Sequence, residues 1–329
     1  MNEKDKETIN GIREEIDKTD EEIFALLSKR FELSKKIGDA KRDGSVAVAD
    51  RKREEAILAR AQSAAGKYAY QVKIIYENIF PLSRELQLAT GLVGENIECS
   101  LSPRIHALLG DPFYSLYKLS PCEAPAFFEA PVFDAINVTM PYKRLAASYC
   151  ASLSAEAKAA GCVNVIMNNH DGTLSGYNTD LFGFGYTLDR MGADVKGKKV
   201  LLVGNGGAAG AIRAVTGDRR GEAVTVSRSI GKGLCEIGRN TDAAFIVNAT
   251  PSADLPIDLR AFDALEGVID ITYMRKSKLV SDAQALGVNC CDGIPMLVAQ
   301  AAASRAIFTQ TDSVDFDEIE RIIAILSEK

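Results

Sequence analysis

Arg30 and Lys41 sit on a helical face that should be apolar. Numbered from Ile9, a stripe of Ile9, Ile12, Ile16, Ile23, Leu26, Leu33, Ile37 and Ala40 recurs at helical spacing. At about 100° per residue both cations fall inside it. A charge on a core-facing stripe is costly unless it is paired or meets a ligand. Further along, Arg53 shares a face with Ile57 and is flanked by Asp50 and Glu54, while Ser83 and Gln87 follow Ile79 at one-turn spacing. Arg13 is rotated about 100° from Arg30, so it would meet a neighbouring chain more readily than its own site. Taken one at a time, these residues read more readily as snorkelling cations and surface pairs. Together, three arginines, a lysine, two carboxylates and an amide/hydroxyl pair compose a receptor for a compact dianion that carries a hydroxyl.

A second set of residues lies beyond position 90. "GNGGAAGA" (204–211) follows an apolar strand pattern and opens a helix, as a phosphate-binding turn does; the same glycines also suit a plain turn. Gly204, Gly206 and Gly207 would let the backbone approach a pyrophosphate. The next strand ends in Ser227, Arg228 and Ser229, with Lys232 shortly after. An acidic residue there would bond a ribose 2′-hydroxyl; cations suit a 2′-phosphate, so charge favours NADP over NAD. "NVTMPYK" offers Asn137, Thr139 and Lys143 at a strand end, and "GYNTD" offers Asn178, Thr179 and Asp180; turn chemistry accounts for either alone.

The elements that position these residues change character near residue 90. The 329-residue length suits more than one domain. Three helices, over roughly 5–42, 50–65 and 68–88, fill the first part, with Asp50 as N-cap of the second and Pro81 kinking the third. The first helix would be about 55 Å long. Two shorter helices cannot cover its stripe, which predicts a dimer. The rest alternates buried strands ("KKVLLVGN", "EAVTVSR", "AAFIVNATP", "GVIDITY") with helices, the rhythm of a doubly wound parallel sheet. A net charge of −6 argues against nucleic acid or an anionic membrane as partner. The amino terminus shows no secretory signal and no run reaches transmembrane length. Seven cysteines without a CxxC pair read as reduced thiols of a cytoplasmic protein. Two histidines make a histidine-rich metal site improbable, and no metal is expected.

Residues 1–89 resemble the all-helical class of chorismate mutase. That resemblance implies an intertwined homodimer of three-helix chains, with Arg13 lent to the partner's site. It further implies that the arginines (Arg13, Arg30, Arg53) hold the carboxylates of chorismate, that Glu54 takes its hydroxyl, and that Asp50 and Ser83 complete the pocket. Lys41 and Gln87 would donate to the ether oxygen as its bond breaks. "SLSP", "NVTMPYK", "GYNTD" and the glycine turn, in this order, resemble shikimate dehydrogenase across residues 91–329. The implied fold is a mixed α/β substrate domain (91–190 plus about 293–329) and a Rossmann-type NADP domain (191–292). Ser100, Ser102 and Thr139 would bind the carboxylate of shikimate or 3-dehydroshikimate, with Asn164, Tyr273 and Gln300 around the ring. Lys143 and Asp180 would be the catalytic pair. Gly204, Gly206, Gly207, Ala208, Ser227, Arg228, Ser229 and Lys232 would hold the cofactor, with Thr250, Ile271, Gly293 and Met296 at the nicotinamide. Cys99, Val165 and Ala253 depart from that family's pattern. The resemblance therefore implies a bifunctional enzyme of aromatic biosynthesis. A ligand-sensing helical module and a preference for quinate remain open alternatives.

Overall fold

The structure, a computed structural model, describes residues 3–43, 50–231, 233–252, 254–273, 277–311 and 313–328. The chain forms two compact units, Met1–Ala89 and Thr90–Lys329.

The first unit is three helices: α1 (Glu3–Asp43), α2 (Arg51–Ala65) and α3 (Ala69–Glu85), with Pro81 inside the last. Asp50 starts α2, its side chain accepting from the Arg53 N–H at 3.0 Å. α1 leans on α3 through its C-terminal half, where Ser34 is buried and Arg30 and Lys41 are half-buried. The apolar stripe is only partly covered by this contact. Its large members, Ile9 through Ile37, stay 36–66 % exposed. Among the described residues of this unit only Ile79, Phe80 and Ala89 are buried apolar side chains. A single copy therefore has almost no core of its own, and most of its apolar surface is left facing water.

Among the described residues the second unit holds two sheets and nine α-helices: α4 (Ser102–Leu108), α5 (Ala124–Glu129), α6 (Lys143–Ala147), α7 (Ala155–Ala160), α8 (Asp180–Met191), α9 (Ala209–Asp218), α10 (Lys278–Ala285), α11 (Ile294–Thr309) and α12 (Phe316–Ser327). The first sheet is mixed, in the order β2-β1-β3-β5-β6-β4, from β1 (Thr90–Gly94), β2 (Ser115–Lys118), β3 (Ala135–Val138), β4 (Ser152–Leu153), β5 (Val165–Asn168) and β6 (Leu174–Tyr177). β5 runs antiparallel to both β3 and β6. The second sheet is wholly parallel, in the order β11-β10-β9-β7-β8, from β7 (Lys199–Val203), β8 (Glu222–Val226), β9 (Phe245–Asn248), β10 (Gly267–Asp270) and β11 (Asn289–Cys291). Its central strands are apolar on both faces because helices and loops cover both. Val200, Leu202, Val247 and Ile269 pack with Phe184, Leu188 and Ile212 on one side. Leu201, Val203, Ile246 and Val268 pack with Leu255, Phe262 and Leu279 on the other.

Two helices tie the sheets together. α8 (Asp180–Met191) leaves the end of β6 and puts Phe184 and Leu188 into the core of the parallel sheet. α11 (Ile294–Thr309) contributes Met296 to that core and Phe308 to the core of the mixed sheet. α12 (Phe316–Ser327) covers α11 with Ile319, Ile322 and Ile323. Side chains at the start of α8 and along α11 are thus held between two cores, which fixes a cleft between the sheets.

Candidate active sites

In the helical unit, Arg30 of α1 donates to the Ser83 hydroxyl of α3. Its guanidinium carbon lies 6.0 Å from the ring centroids of Tyr76 and Phe80. Ser83 donates to the Ile79 carbonyl at 2.8 Å, and Gln87 Nε2 donates to the Ser83 carbonyl at 2.9 Å. The next residue, Arg84, faces α2 and donates to both carboxylate oxygens of Glu54, at 2.6 and 2.8 Å. Arg30, Ser83, Gln87 and Glu54 are therefore gathered at one end of the unit. Asp50 is occupied as a helix cap, and Arg53 is exposed beside it. Arg13 is exposed and lies about 25 Å from Arg30 along α1, so one chain does not bring these two arginines together.

In the second unit a cleft of about 710 Å³ opens between the sheets. Ser100, Ser102, Thr139, Lys143, Asn164, Asp180, Tyr273 and Gln300 line it together with Gly206, Gly207, Ala208, Thr250, Ile271, Gly293 and Met296. Strand ends deliver most of them. Thr139 follows β3, Asn164 precedes β5, Asp180 opens α8 after β6, and the glycine turn follows β7.

Lys143, at the start of α6 (Lys143–Ala147), donates from Nζ to Asp180 Oδ2 at 2.6 Å. The two side chains are only 13 % and 6 % exposed, so the pair is shielded from the solvent that weakens surface ion pairs. Asn164 Nδ2 donates to the other carboxylate oxygen, Asp180 Oδ1, at 2.9 Å. The Lys143 stem rests against the glycine turn, where a Cβ on Gly207 would stand 2.8 Å from Lys143 Cδ. Burial raises the Tyr273 phenol above its ordinary range, while a hydrogen bond with Ser100 and the charge of Lys143 pull it back.

The other side of the cleft is built for close backbone approach. Gly204 has φ +115°, a conformation that side-chain-bearing residues rarely adopt, and a Cβ there would meet the Ala249 carbonyl oxygen at 2.8 Å. The turn leads into α9 (Ala209–Asp218), whose first N–H groups lack intrahelical partners. Ser227, Arg228 and Ser229 form an exposed turn after β8 and do not line the cleft itself; Asn205 links them to it through a 3.5 Å contact from Nδ2 to Ser229 Oγ. Arg228 carries no carboxylate among the described residues. Lys232 and Ala253 lie outside the described residues.

Each of the two units matches a known protein family. Residues 12–88 match the family chorismate mutase type II, and residues 92–166 match the shikimate dehydrogenase substrate binding domain. The chain is 32% identical to a shikimate dehydrogenase (NADP(+)) of Prosthecochloris aestuarii, over 68% of this chain and 92% of that protein. The chain belongs to the shikimate dehydrogenase family. A second relative of that name, from Hyphomonas neptunium, is 31% identical over 65% of this chain and 88% of its own length. Among solved structures, shikimate dehydrogenase 1 from Peptoclostridium difficile superposes with a TM-score of 0.64 at 29% identity, covering 72% of this chain and 97% of that one. A chorismate mutase/shikimate 5-dehydrogenase fusion protein from Clostridium acetobutylicum also reaches 0.64, at 27% identity, covering 73% of this chain and 96% of that one. The chain is thus an enzyme in which a chorismate mutase domain precedes a shikimate dehydrogenase.

Sequence reasoning missed several groups that shape these sites. Ser304, fully buried, joins Asn137 to Thr179 behind the shikimate dehydrogenase cleft. Its signal was a lone hydroxyl one helical turn after Gln300 in an alanine-rich run. Tyr114 donates to Asn137 Oδ1 at 2.8 Å and stacks on His106 with ring centroids 3.9 Å apart. The Cys162 thiol donates to the Gly207 carbonyl at 3.3 Å, and burial raises its pKa so that it stays a donor. Arg84 had no signal in the sequence, since its partner Glu54 lies on another helix.

Proposed function

We propose that residues 90–329 reduce 3-dehydroshikimate to shikimate with NADPH, and that the helical unit rearranges chorismate to prephenate. The observation that carries the reductase reading is the buried Lys143–Asp180 pair, set between a wall of amides and hydroxyls and a glycine turn.

The cofactor side fits NADP. Gly204 through Ala208 leave room for a pyrophosphate at the start of α9, and Ser227, Arg228 and Ser229 offer hydroxyls and a cation, with no acid, to a 2′-phosphate. Thr250, Ile271, Gly293 and Met296 would wall the nicotinamide, and Lys232 remains a candidate for the 2′-phosphate. Bound NADPH supplies the hydride. Lys143 then does the acid chemistry: its ammonium stabilises the alkoxide forming on the ketone oxygen and delivers a proton to it. Asp180 aims that ammonium, and Asn164 holds the opposite carboxylate oxygen so that the aim is fixed. Ser100, Ser102 and Thr139 take the substrate carboxylate, while Asn164, Tyr273 and Gln300 surround the ring.

For chorismate, Arg30 and Arg53 with Arg13 from a second copy would hold the carboxylates, and Lys41 and Gln87 the ether oxygen. Glu54 would take the hydroxyl, with Asp50 and Ser83 completing the wall. The exposed stripe of α1 supports the dimer this needs, since a second copy would cover it. One observation favours a second reading, a helical unit that binds ligand with little turnover. Both oxygens of Glu54 already accept from Arg84.

Paired assays test these readings, following prephenate formation from chorismate and oxidation of shikimate or quinate with NADP or NAD. We expect both activities, with shikimate and NADP preferred. Lys143→Ala should abolish only the dehydrogenase and Arg30→Ala only the mutase. A dehydrogenase indifferent to Lys143→Ala would remove the mechanism. A negligible mutase rate, equal in wild type and Arg30→Ala, would leave the helical unit as a binding module.

A further inference from the structure

Ser304 lies outside the cleft, yet the hydrogen bonds around it decide what Gln300 offers the substrate. Its hydroxyl is 0 % exposed and has three neighbours. Asn137 Nδ2 stands at 2.8 Å, the Gln300 main-chain carbonyl at 2.8 Å and Thr179 Oγ1 at 3.0 Å. A hydroxyl has one proton and two lone pairs. Asn137 presents its NH₂ here, because its carbonyl accepts from Tyr114 and its amide nitrogen also reaches the Asn164 carbonyl at 3.3 Å. The Gln300 main-chain carbonyl only accepts, so it takes the Ser304 proton. Thr179 is then left to donate to Ser304.

The same count fixes the next layer. Thr179 Oγ1 accepts from Asn164 Nδ2 at 2.9 Å, and the second proton of that amide goes to Asp180 Oδ1 at 2.9 Å. Asn164 cannot be turned over, since its Oδ1 accepts the Thr179 N–H at 2.7 Å. Gln300 Oε1 stands further away, 3.3 Å from Asn164 Nδ2 and 3.5 Å from Thr179 Oγ1. Both donors spend their protons on closer acceptors. Gln300 therefore keeps an acceptor directed to the cleft, while its Nε2 is tied to the Leu297 carbonyl at 2.9 Å.

We propose that Ser304 is a positioning residue that draws the Thr179 proton away from Gln300 and so keeps Gln300 Oε1 available to a ring hydroxyl of the substrate. This rests on the reading of Gln300 as a substrate ligand. Without the Ser304 hydroxyl, the nearest other acceptor for Thr179 is Gln300 Oε1, which would be drawn back against the wall.

Steady-state kinetics of shikimate oxidation by the full chain tests this. Ser304→Ala should raise KM for shikimate about three- to ten-fold, the range of one neutral hydrogen bond. It should leave kcat, KM for NADP and the pH profile within about two-fold, because no reacting or titrating group changes. In a Thr179→Val background the same substitution should add nothing, since the proton it misdirects is gone. Ser304→Cys fills the site with a slightly larger, weakly accepting atom and should give an intermediate KM; it carries the test if the alanine variant is too unstable to assay. Gln300→Ala separates the two layers of the argument. An unchanged KM in that variant would refute Gln300 as a ligand. A raised KM there with an unchanged KM in Ser304→Ala, or a Ser304→Ala defect confined to kcat, would overturn the role of Ser304.

Discussion

Adding one methyl group at Gly207 should slow the dehydrogenase without unfolding it. The built Cβ falls 2.8 Å from Lys143 Cδ, where ordinary contact begins at 3.4 Å, so the lysine stem must retreat by about 0.6 Å. It is able to do so because no backbone atom stands close, but the obstacle is the middle of a side chain whose Nζ is held by Asp180, so the retreat disturbs that bond. The strain should then be relieved by Lys143 at a stability cost of about 1 kcal/mol, the low end for overpacking. The catalytic cost is larger. The 2.6 Å bond to Asp180 aims the ammonium, and a misplacement of about 1 Å at a reacting group costs on the order of a hundred-fold. For the shift worked here we expect kcat for shikimate oxidation to fall about ten-fold, equivalent to about 1.4 kcal/mol in the barrier. Steady-state rates with shikimate and NADP varied in turn, beside thermal unfolding, would measure it. An unchanged kcat with a raised KM for NADP would mean that the methyl group obstructs the cofactor alone, and the coupling between glycine turn and lysine would be refuted.

Three further outcomes follow from the same structure. Gly210→Ala meets backbone instead of side chain: its Cβ would stand 2.0 Å from the Ala160 carbonyl oxygen, so the gain of about 1 kcal/mol in helix propensity is outweighed and thermal unfolding should come about 5 °C lower. Burial, with the charge of Arg305 adding to it, pushes the His106 imidazole down from 6.5 to about 3. Its folded form stays neutral while the unfolded chain takes up a proton below pH 6.5, so stability is lost as pH falls. Between pH 7 and pH 5 this amounts to about 2 kcal/mol, and urea unfolding of His106→Phe should lack that part of the loss. Leu26→Glu places a charge on the exposed stripe of α1 and costs a single copy little; sedimentation should show dissociated chains and the mutase assay a lost activity, whereas an intact dimer would count against that interface.

Much of this architecture was legible because it rests on local spacing. A helix repeats its faces every few residues, so the stripe from Ile9 to Ala40 and the odd positions of Arg30 and Lys41 could be read directly. The strands "KKVLLVGN", "AAFIVNATP" and "GVIDITY" stand in the structure as β7, β9 and β10, because runs buried on both faces have no other stable use in an alternating α/β chain. The glycine turn was legible for a similar reason, since the positive φ of Gly204 leaves room for few other residues.

What the tertiary structure alone decided is which polar groups meet and in which direction their protons point. Glu54 meets Arg84 across two helices, and Asn137 meets Ser304 across 167 residues of chain. No periodicity encodes such pairs; they arise because buried donors and acceptors must find partners once the two cores have set the backbone in place. From residue types and spacing the chain could be read as two ligand-binding parts with the right chemical groups. Only packing placed Lys143, Asp180 and Gln300 around one cleft, because the ends of separate strands converge there and desolvation gives their hydrogen bonds a single arrangement.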